Sequence, residues 1–273
     1  MHPGAWLTWA TCAGVVTFTT TDPFYLMTVV AVAWFVYTTQ HVPGPTARSF
    51  RVFAIAALAT LAVRTSLVVF GTVDASNIAY AALEGARLAT LLIVFGTFNA
   101  VTDPYGVVRL APRRFHEPAL AAALALSIAP RTVDAVGRVR EAQRLRGIHP
   151  SRWRSLPSLA MPVLETGMEN AVTLAESMDA RGHGQGTRTR YRPERWSMGA
   201  IATVATGVAA AAMFEFAAWT GRAELHPSTS PLSWPQVEPL LLAAIALLAV
   251  PGFTRRPPRA SLGGRGPGDE GGR

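Results

Sequence analysis

A series of long apolar stretches, separated by short polar breaks, constrains this chain more than any other feature. A helix needs about 20 mostly apolar residues to cross the hydrocarbon core of a bilayer. Only 15% of the residues are charged, against roughly 25% in soluble domains. The pattern therefore predicts an all-α integral membrane protein. The apolar stretches are Ala5–Thr20, Pro23–Thr38, Val52–Thr72, Ile78–Val101, Met198–Thr220 and Val237–Phe253.

The number of transmembrane helices is either five or six. The first, second and last stretches are short for a bilayer, and the first two could form a single interrupted hairpin. Arginine placement favours an even number. All 25 basic residues are arginine, and 15 of them lie in one connection, from Arg109 to Arg195. The connection after the second stretch and the tail after Phe253 are also basic, whereas the connection after the fifth stretch holds only Arg222. The positive-inside rule then predicts a multi-pass membrane protein with both termini cytoplasmic.

This interpretation divides the chain into four regions. Residues 1–108 hold the N-terminal transmembrane helices, and residues 109–197 form a cytoplasmic segment. Residues 198–253 hold the C-terminal transmembrane helices. Residues 254–273 form an Arg/Gly/Pro tail that lacks the apolar content to build a core, so we expect it to be disordered.

The cytoplasmic segment predicts two amphipathic helices. An alanine/leucine run comes first; it is short for crossing a bilayer and is typical of an interfacial or re-entrant helix packed under the bundle. A helix follows from about Thr132 to Arg146, and a second runs from about Val163 to Arg181. Apolar residues of the second helix, beginning with Leu164 and Met168, recur at helical spacing on one face.

The two helices end in the same pattern, Glu-x4-Arg-Gly. Glu141, Arg146 and Gly147 match Glu176, Arg181 and Gly182 at an offset of 35 residues. Arginine in a last turn complements the helix dipole and glycine beyond it ends the helix, which is a sufficient structural explanation. The alternative is that each guanidinium forms bidentate pairs with acidic residues of a docking partner. The duplication then favours a partner that comes in two copies.

The chain resembles the transmembrane T component of energy-coupling factor (ECF) transporters, a group that includes the Q-type proteins of cobalt and nickel systems. The runs "TDPYGVVRLAPR", "ALSIAPRTVDAVGRVREAQRLRG" and "LAESMDARGHG" carry the resemblance. It implies that two coupling helices seat in two ATP-binding cassette ATPase subunits, while a separate substrate-binding membrane subunit takes the cargo, a vitamin or a transition-metal ion. Leu145 departs from the small residue that usually precedes the arginine. The implied coupling residues are Glu141, Arg146, Gly147, Glu176, Ala180, Arg181 and Gly182.

Charged residues also occur within the apolar stretches. Such residues are costly in lipid, so they usually pair with one another or face a cavity. We expect a polar network that fixes helix packing, with an Arg64–Glu215 pair as a hypothesis; an ion pathway is the alternative. The residues are Arg64, Glu84, Arg87 and Glu215.

Two other functions stay open on the sequence: a conventional ABC-importer permease, because "EAQRLRG" loosely imitates its coupling loop, and an ATP-independent secondary transporter that uses the intramembrane charges. The chain has no lysine, so it lacks a nucleotide-binding P-loop. If ATP drives the protein, another subunit binds it. No catalytic residue, metal site or cofactor is expected, since the histidines lack ligand spacing and Cys12 is the one cysteine. Nucleic acid is not an expected partner, because the arginines alternate with glutamates and lack an aromatic stacking platform.

Overall fold

The structure is a computed structural model that describes residues 2–40, 45–70, 74–147, 156–183, 196–221, 225 and 238–254. Within these residues the regular structure is entirely helical, which confirms the predicted all-α class. The chain splits into two compact units, one made of Met1–Asp103 with Trp196–Arg273 and the other of Pro104–Arg195. The tail predicted to be disordered lies, beyond Thr254, outside the described residues.

The first unit is a helical bundle. Proline occupies the first position of several of its helices, where its missing N–H costs nothing. A short 3-10 turn, Leu67–Phe70, follows the third helix. The helices are α1 (Pro3–Thr19), α2 (Pro23–Gln40), α3 (Pro45–Ser66), α4 (Ala75–Val101), α8 (Met198–Thr220), α9 (Pro239–Leu247) and α10 (Val250–Phe253).

Aromatic residues of α1, α2 and α8 fill the centre of this bundle. Trp9, Tyr25 and Phe214 are at most 1% exposed, and the rings of Tyr25 and Phe214 meet edge to face with centroids 5.7 Å apart. The Trp9 indole Nε1 donates to the backbone carbonyl of Leu248 at 2.9 Å. That carbonyl lies where the last apolar stretch breaks between α9 and α10. The indole therefore satisfies a backbone acceptor that the broken helix leaves free.

The second unit contains α5 (Pro104–Arg109), α6 (His116–Leu145) and α7 (Leu156–Ala180), with a 3-10 turn at Arg113–Phe115. Here the predicted boundaries were wrong in two places. The alanine/leucine run and the helix predicted from about Thr132 form one 30-residue helix that passes through Pro130. The helix predicted from about Val163 begins at Leu156 and passes through Pro162. Proline removes one helical hydrogen bond, but the apolar pattern on either side of each proline is continuous enough to carry the helix across.

Among the described residues, four helical segments are long and apolar enough to cross a membrane: Ser49–Ser66, Ala75–Val101, Glu117–Leu145 and Met198–Thr220. The 17-residue α1 and 18-residue α2, predicted as spans, are not among them. The third segment falls in the region predicted to be cytoplasmic, because the alanine/leucine run raises its hydropathy. The total of five or six spans and the side on which α6 lies stay predictions.

Candidate functional site

The end of α6 places Arg146 in a defined position. The Arg146 backbone N–H donates to the carbonyls of Ala142 at 3.2 Å and Gln143 at 3.1 Å. Gly147 then adopts φ +73°, and its N–H donates to the carbonyl of Arg144 at 3.0 Å. Glycine enters this left-handed region without the steric cost that a β-carbon brings. The turn closes the helix immediately after the arginine.

The end of α7 repeats this conformation. Gly182 has φ +73°, and its N–H donates to the carbonyl of Asp179 at 2.8 Å. The His183 N–H reaches the carbonyl of Met178 at 3.0 Å. These two bonds form the Schellman motif that commonly terminates helices on a left-handed glycine. Arg181 therefore stands in the same place relative to its helix as Arg146 does.

The side chains at both helix ends are exposed. Neither the Arg146 nor the Arg181 guanidinium makes a hydrogen bond or ion pair to another described residue. Each keeps five N–H donors for a ligand. Glu141 and Glu176, one turn earlier, are exposed as well. The ends differ at one point: Leu145, beside Arg146, is 85% exposed, whereas α7 carries Ala180 at the matching position.

An apolar row on α7 is exposed. Leu164 and Met168 are 60% and 70% exposed, and Met161 and Val172 extend the row at helical spacing. A contiguous exposed apolar surface of this kind marks a contact with a partner or a membrane. The row therefore belongs to the candidate site together with the two arginine ends.

The two helices carry opposite charge. From Arg131 to its end, α6 has four arginines against Asp134 and Glu141, and Arg146 follows as the C-cap. Along its whole length α7 has four acidic residues and no arginine. No ion pair joins α6 to α7 in the part of the chain that the structure describes. The same arginine–glycine end is thus presented on one basic and one acidic helix.

In the membrane bundle, Glu84 and Arg87 form an ion pair on α4. An Arg87 guanidinium nitrogen lies 2.8 Å from Glu84 Oε2, and the two side chains are 19% and 13% exposed. The Arg87 guanidinium also lies 5.2 Å from the centre of the Phe18 ring, and its Nη1 is 3.5 Å from the Phe18 carbonyl. The pair therefore contacts the last turn of α1.

The other two intramembrane charges do not join this pair. Arg64 is exposed on α3, and its Cβ packs beside Gly85 of α4. Glu215, on α8, is exposed and accepts a hydrogen bond from Thr19 Oγ1 at 3.0 Å. Within the described residues, the ion pair found is Glu84–Arg87. The hypothesised Arg64–Glu215 pair is not formed, because α3 packs on α4 while α8 packs on α1 and α9.

Sequence reasoning missed a buried polar junction in the loop between α1 and α2. Asp22 is fully buried, and its Oδ1 accepts from the Phe24 N–H at 2.8 Å. The Thr20 hydroxyl and the Thr21 N–H both donate to the Leu225 carbonyl at 2.9 Å. Burial raises the pKa of Asp22, and the N–H groups of Phe24 and Tyr25 offset part of that rise. The run Thr-Thr-Thr-Asp-Pro was the available signal, since Asp before Pro often starts a helix.

The comparison with protein families is decisive at this point. Residues 1–191 match the CbiQ family, described as cobalt transport protein. The chain belongs to this family. It is thus a membrane protein of a transport family, and the resemblance to ECF T components is confirmed.

Two curated relatives are both energy-coupling factor transporter transmembrane proteins EcfT. The protein of Exiguobacterium sibiricum is 32% identical over 102 residues, which cover 34% of this chain and 37% of the relative. The protein of Listeria innocua serovar 6a is 32% identical over 95 residues, covering 32% of this chain and 36% of the relative. The chain therefore spans little more than a third of the length of either relative.

Proposed function

We propose that this chain is the transmembrane coupling subunit of an energy-coupling factor importer. It transmits the conformational change of two ATP-binding cassette ATPase subunits to a separate substrate-binding membrane subunit. The observation that carries the proposal is the pair of matched helix ends, Arg146–Gly147 and Arg181–Gly182. Each presents an exposed guanidinium with no partner among the described residues, next to a glycine at φ +73°.

The chemistry of the two ends suits docking to carboxylates. A guanidinium forms two parallel hydrogen bonds with one carboxylate, which fixes orientation as well as position. The glycine turn fixes the position of the arginine at the end of its helix. A partner that binds the arginine therefore moves the helix when the partner itself moves. When ATP binding closes the ATPase pair, both ends are drawn along. Transmission of this kind needs rigid elements with discrete packed arrangements, and 30- and 25-residue helices supply them.

The exposed row on α7 is centred on Leu164 and Met168. It is the proposed contact with the substrate-binding subunit, or with α6 after the ATPase pair has closed. The cargo is selected by that subunit and is a vitamin or a transition-metal ion; the description of the family names cobalt. In this proposal α6 and α7 lie on the cytoplasmic side, and both chain termini do as well.

The direct experiment is co-expression with the candidate ATPases and substrate-binding subunit, followed by purification through a tag on this chain. We expect the full complex to be retained by the wild type and the ATPases to be lost from an Arg146→Ala/Arg181→Ala double variant. Arg140→Ala is the matched control, since it removes an exposed arginine of α6 away from the helix end. Equal retention of ATPases by the double variant and the control would contradict the proposal.

The same purification separates the two other functions. A conventional permease would bring down ATPases without a small substrate-binding membrane protein. A secondary transporter would move cargo in proteoliposomes that contain no ATPase.

A further inference from the structure

A groove on the outside of the membrane bundle ends in charged residues that the coupling role does not use. It has a volume of about 430 Å³ and lies between α1 and α4, with α8 at one end. Its walls are apolar and include Leu7, Ala10, Gly14, Phe18, Leu91 and Phe95. It follows α1 from Leu7 to Thr19, a length of about 18 Å at a rise of about 1.5 Å per residue.

Glu215 and Thr19 close the groove at the end of α1. The Glu84–Arg87 pair is at the same level, because Arg87 contacts the Phe18 ring and carbonyl. In this group Arg87 neutralises Glu84, whereas Glu215 receives only the Thr19 hydroxyl bond among the described residues. The end of the groove therefore carries one carboxylate without a counter-charge, beside an arginine. An ammonium group would supply that charge.

We propose that this groove binds one phospholipid with an ammonium head group, phosphatidylethanolamine. An acyl chain lies along α1 over Gly14, and the ammonium group contacts the Glu215 carboxylate. Anionic phosphatidylglycerol offers no positive charge to Glu215. Glu215 is exposed within an apolar stretch, where an unpaired carboxylate is costly. The primary ammonium of phosphatidylethanolamine donates N–H bonds to it, which the quaternary ammonium of phosphatidylcholine cannot do.

The size of the groove suits a lipid chain. A methylene group takes up about as much space as a water molecule, roughly 30 Å³, so about 430 Å³ accommodates one acyl chain. The proposal is independent of the coupling role, because none of its residues belongs to α6 or α7.

Gly14 provides a substitution that fills the groove. A β-carbon added at Gly14 meets no atom within 4 Å, so Gly14→Leu places a side chain in the open space without a clash at its base. Glu215→Gln removes the charge and keeps the shape. Ala62→Leu is the matched control, since Ala62 lines a separate groove of about 570 Å³ whose lining has no charged residue.

The test is native mass spectrometry of the full-length chain after reconstitution with equal amounts of phosphatidylethanolamine, phosphatidylglycerol and phosphatidylcholine of identical acyl chains. We expect the wild type and Ala62→Leu to retain one phosphatidylethanolamine, at least tenfold more often than phosphatidylglycerol. Gly14→Leu should reduce that retention at least tenfold. Glu215→Gln should retain a lipid but without preference for the ethanolamine head group.

Equal retention of the three lipids by the wild type would overturn the proposal, even if a variant failed to fold. Unchanged retention by Gly14→Leu, with wild-type helical content by circular dichroism, would do the same. If the wild type retains no lipid and Gly14→Leu instead loses a co-purifying membrane subunit, the groove is a protein interface and the proposal is wrong.

Discussion

The membrane bundle and the α6–α7 unit are both helical, yet they are built on different principles. In the bundle, large side chains such as Trp9 and Phe214 are almost completely buried. In the other unit, apolar residues such as Met168 and Val133 are each 70% exposed. The bundle also exposes apolar side chains, such as Ile55 at 69%, but it has a buried aromatic core. The described aromatic residues of the other unit, Tyr105 and Phe115, are exposed, and its two helix ends present an arginine each. A region that buries few apolar side chains opens at a lower free energy than a packed core does.

Truncating one large side chain in each unit tests this difference in packing and should give the largest effect. Phe214→Ala should cost about 3 kcal/mol or more in unfolding free energy, because it opens a cavity in the bundle. Met168→Ala should change stability by less than about 0.5 kcal/mol, since the side chain is exposed. Thermal or denaturant unfolding of the purified chain measures both. Equal destabilisation by the two substitutions would show that α7 is packed as tightly as the bundle.

The arginine ends should show the opposite behaviour, with large effects on partners and small effects on folding. Charge-assisted hydrogen bonds contribute about 1.5–3 kcal/mol each, so Arg181→Ala should weaken ATPase binding by about tenfold or more. Transport by the assembled complex should fall with it, while the melting temperature of the chain stays near that of the wild type. Uptake assays at matched protein level test this, and normal uptake would contradict it.

Gly182→Ala should have a smaller effect at the same place. A β-carbon at φ +73° costs roughly 1–2 kcal/mol, which loosens the turn without removing the guanidinium. We expect ATPase binding between that of the wild type and that of Arg181→Ala. Gly167→Ala is the control, because that glycine lies within α7 with no atom within 4 Å of an added β-carbon. A Gly182→Ala chain that binds as tightly as this control would show that the glycine turn does not position Arg181.

The smallest effect concerns the buried junction of the bundle. Because burial raises the pKa of Asp22, the protonated form is favoured by folding. The contribution of protonated Asp22 to the free energy of unfolding is fully present below the pKa of aspartate in the unfolded chain. It is lost as the pH rises through the raised pKa of Asp22 in the folded protein. Asp22→Asn should remove this dependence, so its melting temperature should fall less than that of the wild type as pH rises. Parallel melting curves against pH for the two proteins would contradict the assignment.

Local patterns predicted the helices well where apolar spacing and end signals agreed. The predicted stretch Met198–Thr220 coincides with α8, since Ser197 caps its start and Gly221, at φ +60°, ends it. The arginine–glycine ends were equally readable, because a C-terminal glycine turn is a local feature. Their role as a coupling site remains a proposal.

Other features depend on contacts that no local pattern contains. The predicted helices start at about Thr132 and Val163, yet α6 and α7 begin earlier and continue through Pro130 and Pro162. The hypothesised Arg64–Glu215 pair failed because charge alone does not reveal which helices are neighbours. Asp22 was missed for the same reason, since its burial depends on the Leu225 segment more than 200 residues away.

The central claim is that the ends of α6 and α7 each contact an ATPase. It is tested most directly by photo-crosslinking from Leu145→Cys and Ala180→Cys, in a chain whose buried Cys12 is replaced by alanine. A photoreactive group is attached to each thiol in the assembled complex. We predict an ATPase adduct from both positions and none from the control substitution Thr11→Cys in the bundle. The account would be contradicted if neither helix end gave an ATPase adduct. It would also be contradicted if both cysteines reacted only with a membrane-impermeant thiol reagent applied from outside the cell.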